Sequence, residues 1–156
     1  MLRALAVTDE SSMIEEKLES IYLEYVSGKS PDLDDLKENH TEMYLLLLLS
    51  IFSYSVNQGG FAQLLYNLNW VYLEDVELTL EIVGAENSKL EMSNVIQLCI
   101  DNAEAYQEFI SSDFSESKFK NILHKQTLAY MSSGAMICSE LSKDMLNGIC
   151  RDAKIS

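Results

Sequence analysis

The chain has a single proline, Pro31, and only six glycines in 156 residues. So few breakers leave long uninterrupted stretches, which suits helices and disfavours the turn-rich sheets of sandwiches and barrels. Cysteine is scarce as well. Cys99, Cys138 and Cys150 are an odd, widely spaced set with no CxxC pair. That pattern argues against a disulfide framework or a zinc site and suits small core side chains in a reducing cytosol. The two histidines, His40 and His124, sit far apart, and the chain has no HExxH, no pair of ExxH motifs, no GxSxG and no P-loop. Asp32, Asp34 and Asp35 lack the glycine and the closing glutamate of an EF-hand. A Cys99–His124 pair would need surroundings that favour a thiolate, and abundant carboxylates oppose one. The residues therefore point to a non-enzymatic protein with no cofactor and no metal.

Positive charge is scarce beside negative. There are 11 Lys+Arg against 25 Asp+Glu, a net charge of −14 and a pI near 4.4. Nucleic acid and anionic lipid are both bound chiefly through Lys and Arg. Direct nucleic-acid binding and membrane docking are thus disfavoured, and a basic protein is the natural complement. Long apolar runs are missing too. The most apolar one, Met43 to Val56, holds 14 residues including three serines, short of the roughly 20 needed to span a bilayer. It reads as a helix buried on most of its faces. Met1–Val7 carries one Arg and a brief apolar stretch before Thr8, Asp9 and Glu10, unlike a secretory signal. A cytoplasmic location is expected.

What is present is helical periodicity. At 17.7 kDa and 47% apolar residues, the chain suits one domain with one ordinary core. Ser12 and Glu15 fit a capping box for a helix with Ile14, Leu18, Ile21, Tyr22 and Tyr25 inward, ending at Gly28. Ser30-Pro31 suits the start of a short helix bearing Leu33 and Leu36. The buried helix is expected from Thr41 to the Asn57–Gly60 turn, a short one from Phe61 to Leu68, and another from Trp70 to Val83, stopped by Gly84. Ser88 and Glu91 match a second capping box, opening a long helix to Ile110. Residues 111–115 form a break. Glu116–Met131 and Ala135–Leu146 complete the set, punctuated by Gly134 and Gly148. The expected architecture is all-α: a compact single-domain bundle of six to eight helices over residues 1–156, with one strongly buried central helix. Residues 1–40 supply N-terminal helices, and 115–156 supply C-terminal helices packing on the centre.

The negative charge is not spread evenly. Residues 1–112 hold 20 acids and 5 bases, whereas 113–156 hold 5 and 6. From Glu38 to Ser117 the only base is Lys89. The acids fall at helical spacing as Glu15/Glu19, Asp34/Glu38/Glu42, Glu74/Glu77/Glu81 and Asp101/Glu104/Glu108, which sets each group on one helix face. Like charges so placed cost roughly 0.2–0.5 kcal/mol per pair. Stability does not explain them, although any one stripe alone also fits an ordinary solvated face. An acid every third or fourth residue gives one charge per roughly 5–6 Å of helix axis, against about 1.7 Å on duplex DNA. Two or three stripes must therefore converge, or two subunits join theirs, to approach a polynucleotide's charge density.

The most distinctive segment is Val56-Asn57-Gln58-Gly59-Gly60-Phe61-Ala62-Gln63-Leu64-Leu65-Tyr66-Asn67. Paired glycines permit a tight turn and close backbone approach, Phe61, Leu64 and Leu65 form an apolar face, and Asn57, Gln63 and Asn67 suit backbone groups at helix ends. A helix-turn-helix corner is the expected role. The order of buried helix, Asn-Gly-Gly-Phe-type turn, Gln and Tyr66-Asn67, then a helix ending at Gly84-Ala85, resembles a bacterial DNA-mimic domain family, long catalogued as a domain of unknown function. The resemblance covers residues 41–114. This chain has Gln58 where the family usually places the turn Asn, with Asn57 one position earlier. The resemblance implies an all-helical fold, a dimer, and surface carboxylates that occupy the DNA-binding face of a transcription regulator. The shared motif (Asn57, Gly59, Gly60, Phe61, Gln63, Tyr66, Asn67) is structural and carries no partner-contacting residue with it.

Joined to the acidic stripes, the resemblance gives a DNA mimic that blocks a basic, transcription-regulator-like protein. The alternative is a structural or immunity-type scaffold that binds through apolar contacts. For that role the Leu45–Leu49 run and Met131, Met136 and Met145 would serve as core or subunit interface.

Overall fold

Nearly every face of one helix, α3 (Thr41–Asn67), is covered by the rest of the chain. Its Leu46, Leu48, Phe52, Val56, Phe61 and Leu64 have no solvent exposure at all. The computed structural model describes residues 2–28, 32–112 and 117–154, with backbone alone at 2–9. Three serines inside so apolar a helix need partners. Ser50 donates to the Leu47 carbonyl (2.8 Å), Ser55 accepts from Asn67 Nδ2 (3.2 Å), and Ser53 meets Cys138 Sγ (3.8 Å). By length and composition α3 could cross a bilayer, but 72% of its apolar window is buried against protein.

The covering helices arrive in chain order. Helix α1 (Leu2–Ser27) lies along α3, burying Ile14, Leu18 and Ile21 and stacking Tyr22 on Tyr54 with centroids 4.3 Å apart. It begins at Leu2, so Ser12 caps nothing. The Leu-Arg-Ala-Leu-Ala sequence before it propagates a helix well. Helix α2 (Leu33–Asn39) is capped by Asp32, whose Oδ1 accepts the Asp34 N–H at 3.0 Å; the expected Ser30-Pro31 start lies outside the described residues. A 3-10 turn, η1 (Trp70–Tyr72), leads into α4 (Leu73–Ile82). Gly84, at φ +79°, ends α4 with the Ala85 N–H on the Leu80 carbonyl and its own N–H on Glu81, the paired bonds of a Schellman stop.

The expected long helix to Ile110 is two helices, α5 (Glu86–Asp101) and α6 (Ala103–Ser111). They part at Asn102, whose φ of −125° leaves the helix and whose Nδ2 binds the Leu98 carbonyl at 2.9 Å. A short amide reaching its own backbone offers the chain an exit from the helix. Ser88 is not a cap either. It is buried inside the first turn of α5, and the free N–H groups of Asn87 and Ser88 go instead to the Glu140 carboxylate (2.7 and 2.8 Å).

Helix α7 (Lys118–Ser132) is capped by Ser117, which accepts the Lys120 N–H; its expected first residue, Glu116, lies outside the described residues. The segment expected as one helix over Ala135–Leu146 is a single turn, α8 (Ile137–Glu140), and α9 (Lys143–Asp152), separated by extended Leu141. Gly148 sits within α9 rather than ending it, because the Ser142 cap starts that helix late. Among the described residues there is no strand, and the all-α bundle around one buried helix stands as the sequence implies. Leu46–Leu49 are buried and Met136 half-buried, while Met131 and Met145 are exposed.

Candidate functional site: carboxylates around the η1 turn

The short η1 turn is held on one side by α2. The Tyr72 hydroxyl donates to Asp34 Oδ1 at 2.8 Å. Just beyond it, Asp75 accepts the Tyr44 hydroxyl (2.6 Å) and the Lys37 ammonium (2.9 Å). The hydrogen bond to Asp34, then burial, push the Tyr72 phenol up to about 12. Burial would raise Asp75, yet the bonds from Tyr44 and Lys37 outweigh it and hold this carboxyl below its usual range. Burial and the same Asp75 contact push the Tyr44 phenol strongly up. This cluster stitches the first turn of α4 to α2 and to the start of α3, so the acids of α2 and α4 are fixed on adjoining ground.

The stripes land as follows. Asp34 and Glu38 lie exposed on α2, but Glu42 falls beyond the His40 break, in the first turn of α3. Glu74 is exposed in the first turn of α4. Glu77 is half-buried and accepts the Ser93 hydroxyl at 2.7 Å, and Glu81 pairs with Lys89 at 3.4 Å. Those two therefore face α5 across a seam, and the one base of the acidic segment is engaged there. Asp101 accepts from Gln97 (2.8 Å). Although Asn102 breaks the helix between them, Asp101, Glu104 and Glu108 line one open depression of 360 Å³. From the Glu15/Glu19 pair, Glu15 accepts from Asn57 at 3.0 Å.

Beside that depression lies a feature the sequence reading missed. Trp70, Cys99, Ile100, Tyr106 and Gln107 line an apolar groove of 250 Å³, and Ala103 lines both hollows. The Trp70 and Tyr106 rings stand 5.7 Å apart. The sole tryptophan of the chain, on a turn between polar Asn69 and an acidic helix, was the signal available.

The turn motif builds the corner rather than a ligand site. Gly59 and Gly60 interrupt α3 with non-helical angles, Gly60 at φ +73°. The Phe61 N–H freed by the kink donates to Thr127 Oγ1 of α7 at 2.9 Å. A Cβ on Gly59 would lie 2.7 Å from that of Gln63. Gln63 donates to Asn67 (2.8 Å), and the Tyr66 hydroxyl donates to the Ser112 carbonyl (3.2 Å). A family profile for DMP19-like proteins matches residues 34–130, which contain the corner, its Thr127 partner and all three long stripes. The chain belongs to the DMP19-like protein family. This is the DNA-mimic family that the turn resembles. No curated protein and no solved structure is significantly similar to the chain.

The DMP19-like family is non-catalytic. In this member His40, at the break between α2 and α3, and His124, on α7, are both exposed. Burial pushes the Cys99 thiol up to about 12 and the Cys138 thiol up to about 11. Among the described residues no three His, Cys, Asp or Glu side chains come together as a metal-binding group.

Proposed function

We propose that this DMP19-like protein is a DNA mimic that occupies the DNA-binding face of a basic, transcription-regulator-like protein. The observation that carries the reading is the placement of carboxylates from four helices about η1: Asp34 on α2 bound to Tyr72, Glu74 opening α4, and Asp101 of α5 sharing one hollow with Glu104 and Glu108 of α6. The two bases of those elements, Lys37 and Lys89, are paired with Asp75 and Glu81. One helix stripe has about a third of the linear charge density of duplex DNA. A homodimer that set two such poles side by side would narrow the gap. Within the cytoplasm such a protein would act on regulation by exclusion, with no chemistry of its own.

The test is competition. A basic regulator retained by the immobilised protein at low salt is titrated with its own operator duplex, followed by fluorescence anisotropy. The reading expects operator and protein to exclude one another, and expects the complex to weaken steeply with salt, since exposed charges are screened within about 8–10 Å at physiological ionic strength. Asp101, Glu104 and Glu108 changed together to their amides should slow association far more than dissociation. A ternary complex with DNA still bound would overturn mimicry. A complex indifferent to about 0.5 M salt would favour the apolar scaffold.

A further inference from the structure

We infer that the Trp70 groove is an anchor site, and that its occupant is an apolar side chain carried on a basic amphipathic helix of the partner protein. The inference rests on the proposed function only in that the partner is a basic protein. Three observations lead to it. First, the groove is open and apolar where the surface should be wet: Trp70 is 37%, Val71 68% and Ile100 54% exposed. Scattered surface apolars need no explanation, but here two of them frame one hollow floored by buried Cys99 and Tyr106. Second, its size is informative. At 250 Å³ it falls below the roughly 300–1,000 Å³ of small-molecule sites and suits one or two side chains. Third, charge decides what brings those side chains. Ala103 is shared with the depression lined by Asp101, Glu104 and Glu108, so anything seated in the groove lies against three carboxylates. Duplex DNA and anionic lipid are repelled there. A helix that presents an apolar residue with Lys or Arg one turn away matches both halves.

The two halves divide the work of binding. Carboxylates steer a cationic partner and set the rate of encounter, whereas a buried apolar anchor sets how long it stays. This supplies what charge density alone lacks, since a weak imitation of a polynucleotide gains residence from a contact that DNA does not make.

Trp70 is the only tryptophan, so its emission reports the groove directly. The probes are two synthetic helical peptides of equal positive charge, one with leucines at i, i+3, i+4 and i+7, the other with glutamines there. At about 0.5 M NaCl, where exposed charge is largely screened, the leucine peptide should bind at least about tenfold tighter, as burial of one leucine implies. It should also shift Trp70 emission to the blue. Ile100→Gln, at an exposed position that should not disturb folding, should abolish both the shift and the preference. Leu128→Gln on α7 should alter neither. The inference is overturned if both peptides bind alike, or if the preference survives Ile100→Gln. It is equally overturned if Trp70 blue-shifts with protein concentration alone, which would mean a second copy covers the groove. Equal, salt-sensitive binding of both peptides sinks the anchor and leaves a basic partner standing. Failure of both peptides to bind even at low salt removes the basic partner itself.

Discussion

Gly60 and Thr127 compete for one small volume: a Cβ on the glycine would stand 2.6 Å from the threonine Oγ1 and 2.8 Å from its Cγ2. The backbone there is at φ +73°, where L side chains are strained. Gly60→Ala therefore combines a conformational penalty with a clash against a buried neighbour, and about 2–4 kcal/mol of destabilisation is expected. Thr127→Ala should cost about 1–3 kcal/mol by leaving the Phe61 N–H buried and unmet. In the double variant part of the clash is relieved, so urea denaturation should show the two losses to be less than additive.

The first turn of α5 depends on residues some fifty positions away. Glu140 accepts two backbone N–H groups and the Ser88 hydroxyl (2.6 Å), so Ser88 Oγ in turn accepts from the Tyr130 hydroxyl at 2.5 Å. Tyr130 also accepts the Ile137 N–H at 2.8 Å. Tyr130→Phe strips this chain of a member in a dry setting, and a loss of about 1–3 kcal/mol is expected in thermal or denaturant unfolding. Glu140→Gln removes the charge beside a helix N-terminus and should cost about 0.5–2 kcal/mol. Amide exchange at Asn87 and Ser88 should quicken more than elsewhere in α5.

Tyr72 gives a prediction in alkali. Its phenol is raised from 10.0 to about 12 by the hydrogen bond to Asp34 and by burial. A raised value means that the contribution to stability is intact below about pH 10 and fades as pH climbs through about 12. Absorbance titration at the tyrosinate band should lose a late-ionising phenol in Tyr72→Phe. Asp34→Asn should move that phenol back toward its ordinary value. Unchanged titration curves in both variants would remove the α2–η1 latch.

At the acid end the same latch reverses sign. Asp75 is held below its usual 3.8 by Tyr44 and Lys37, so its contribution is present above that value and lost as pH falls through the depressed one. Asp75→Asn should flatten the acid limb of the stability profile, seen as a smaller drop in Tm between neutral pH and pH 3. Lys37→Ala should do so less, being exposed and screened.

The thiols should be sluggish. Burial raises Cys99, Cys138 and Cys150 above their ordinary 9.0, and thiolate is the reacting species. Ellman's reagent at mildly alkaline pH should label the native protein orders of magnitude more slowly than free cysteine. All three should react promptly in guanidinium.

Much of the fold could be read from the chain because its signals are local. One proline, spaced glycines and strong periodicity fix the helical class, and Gly84 or the Gly59–Gly60 pair stop helices wherever they occur. Errors gathered where a distant group decides. The N–H groups that open α5 go to Glu140 rather than to a Ser88 cap; Asn102 is the local exception, splitting a helix by binding the Leu98 carbonyl. The carboxylates were legible as exposed helix residues, yet Glu77 and Glu81 turn to Ser93 and Lys89 because of the α4–α5 register, which no spacing rule supplies. The Trp70 groove was invisible for the same reason, its walls coming from two segments thirty residues apart.

The Glu140 bridge has a consequence for where this protein can be cut. The profile shared with the family stops at Tyr130, but the groups that Tyr130 and the start of α5 bind lie beyond it, at Ile137 and Glu140. A fragment trimmed to the shared segment would expose the opened end of α5 to solvent and fray the helix that ends at Asp101. The smallest unit expected to fold alone is therefore longer than the segment that the family shares.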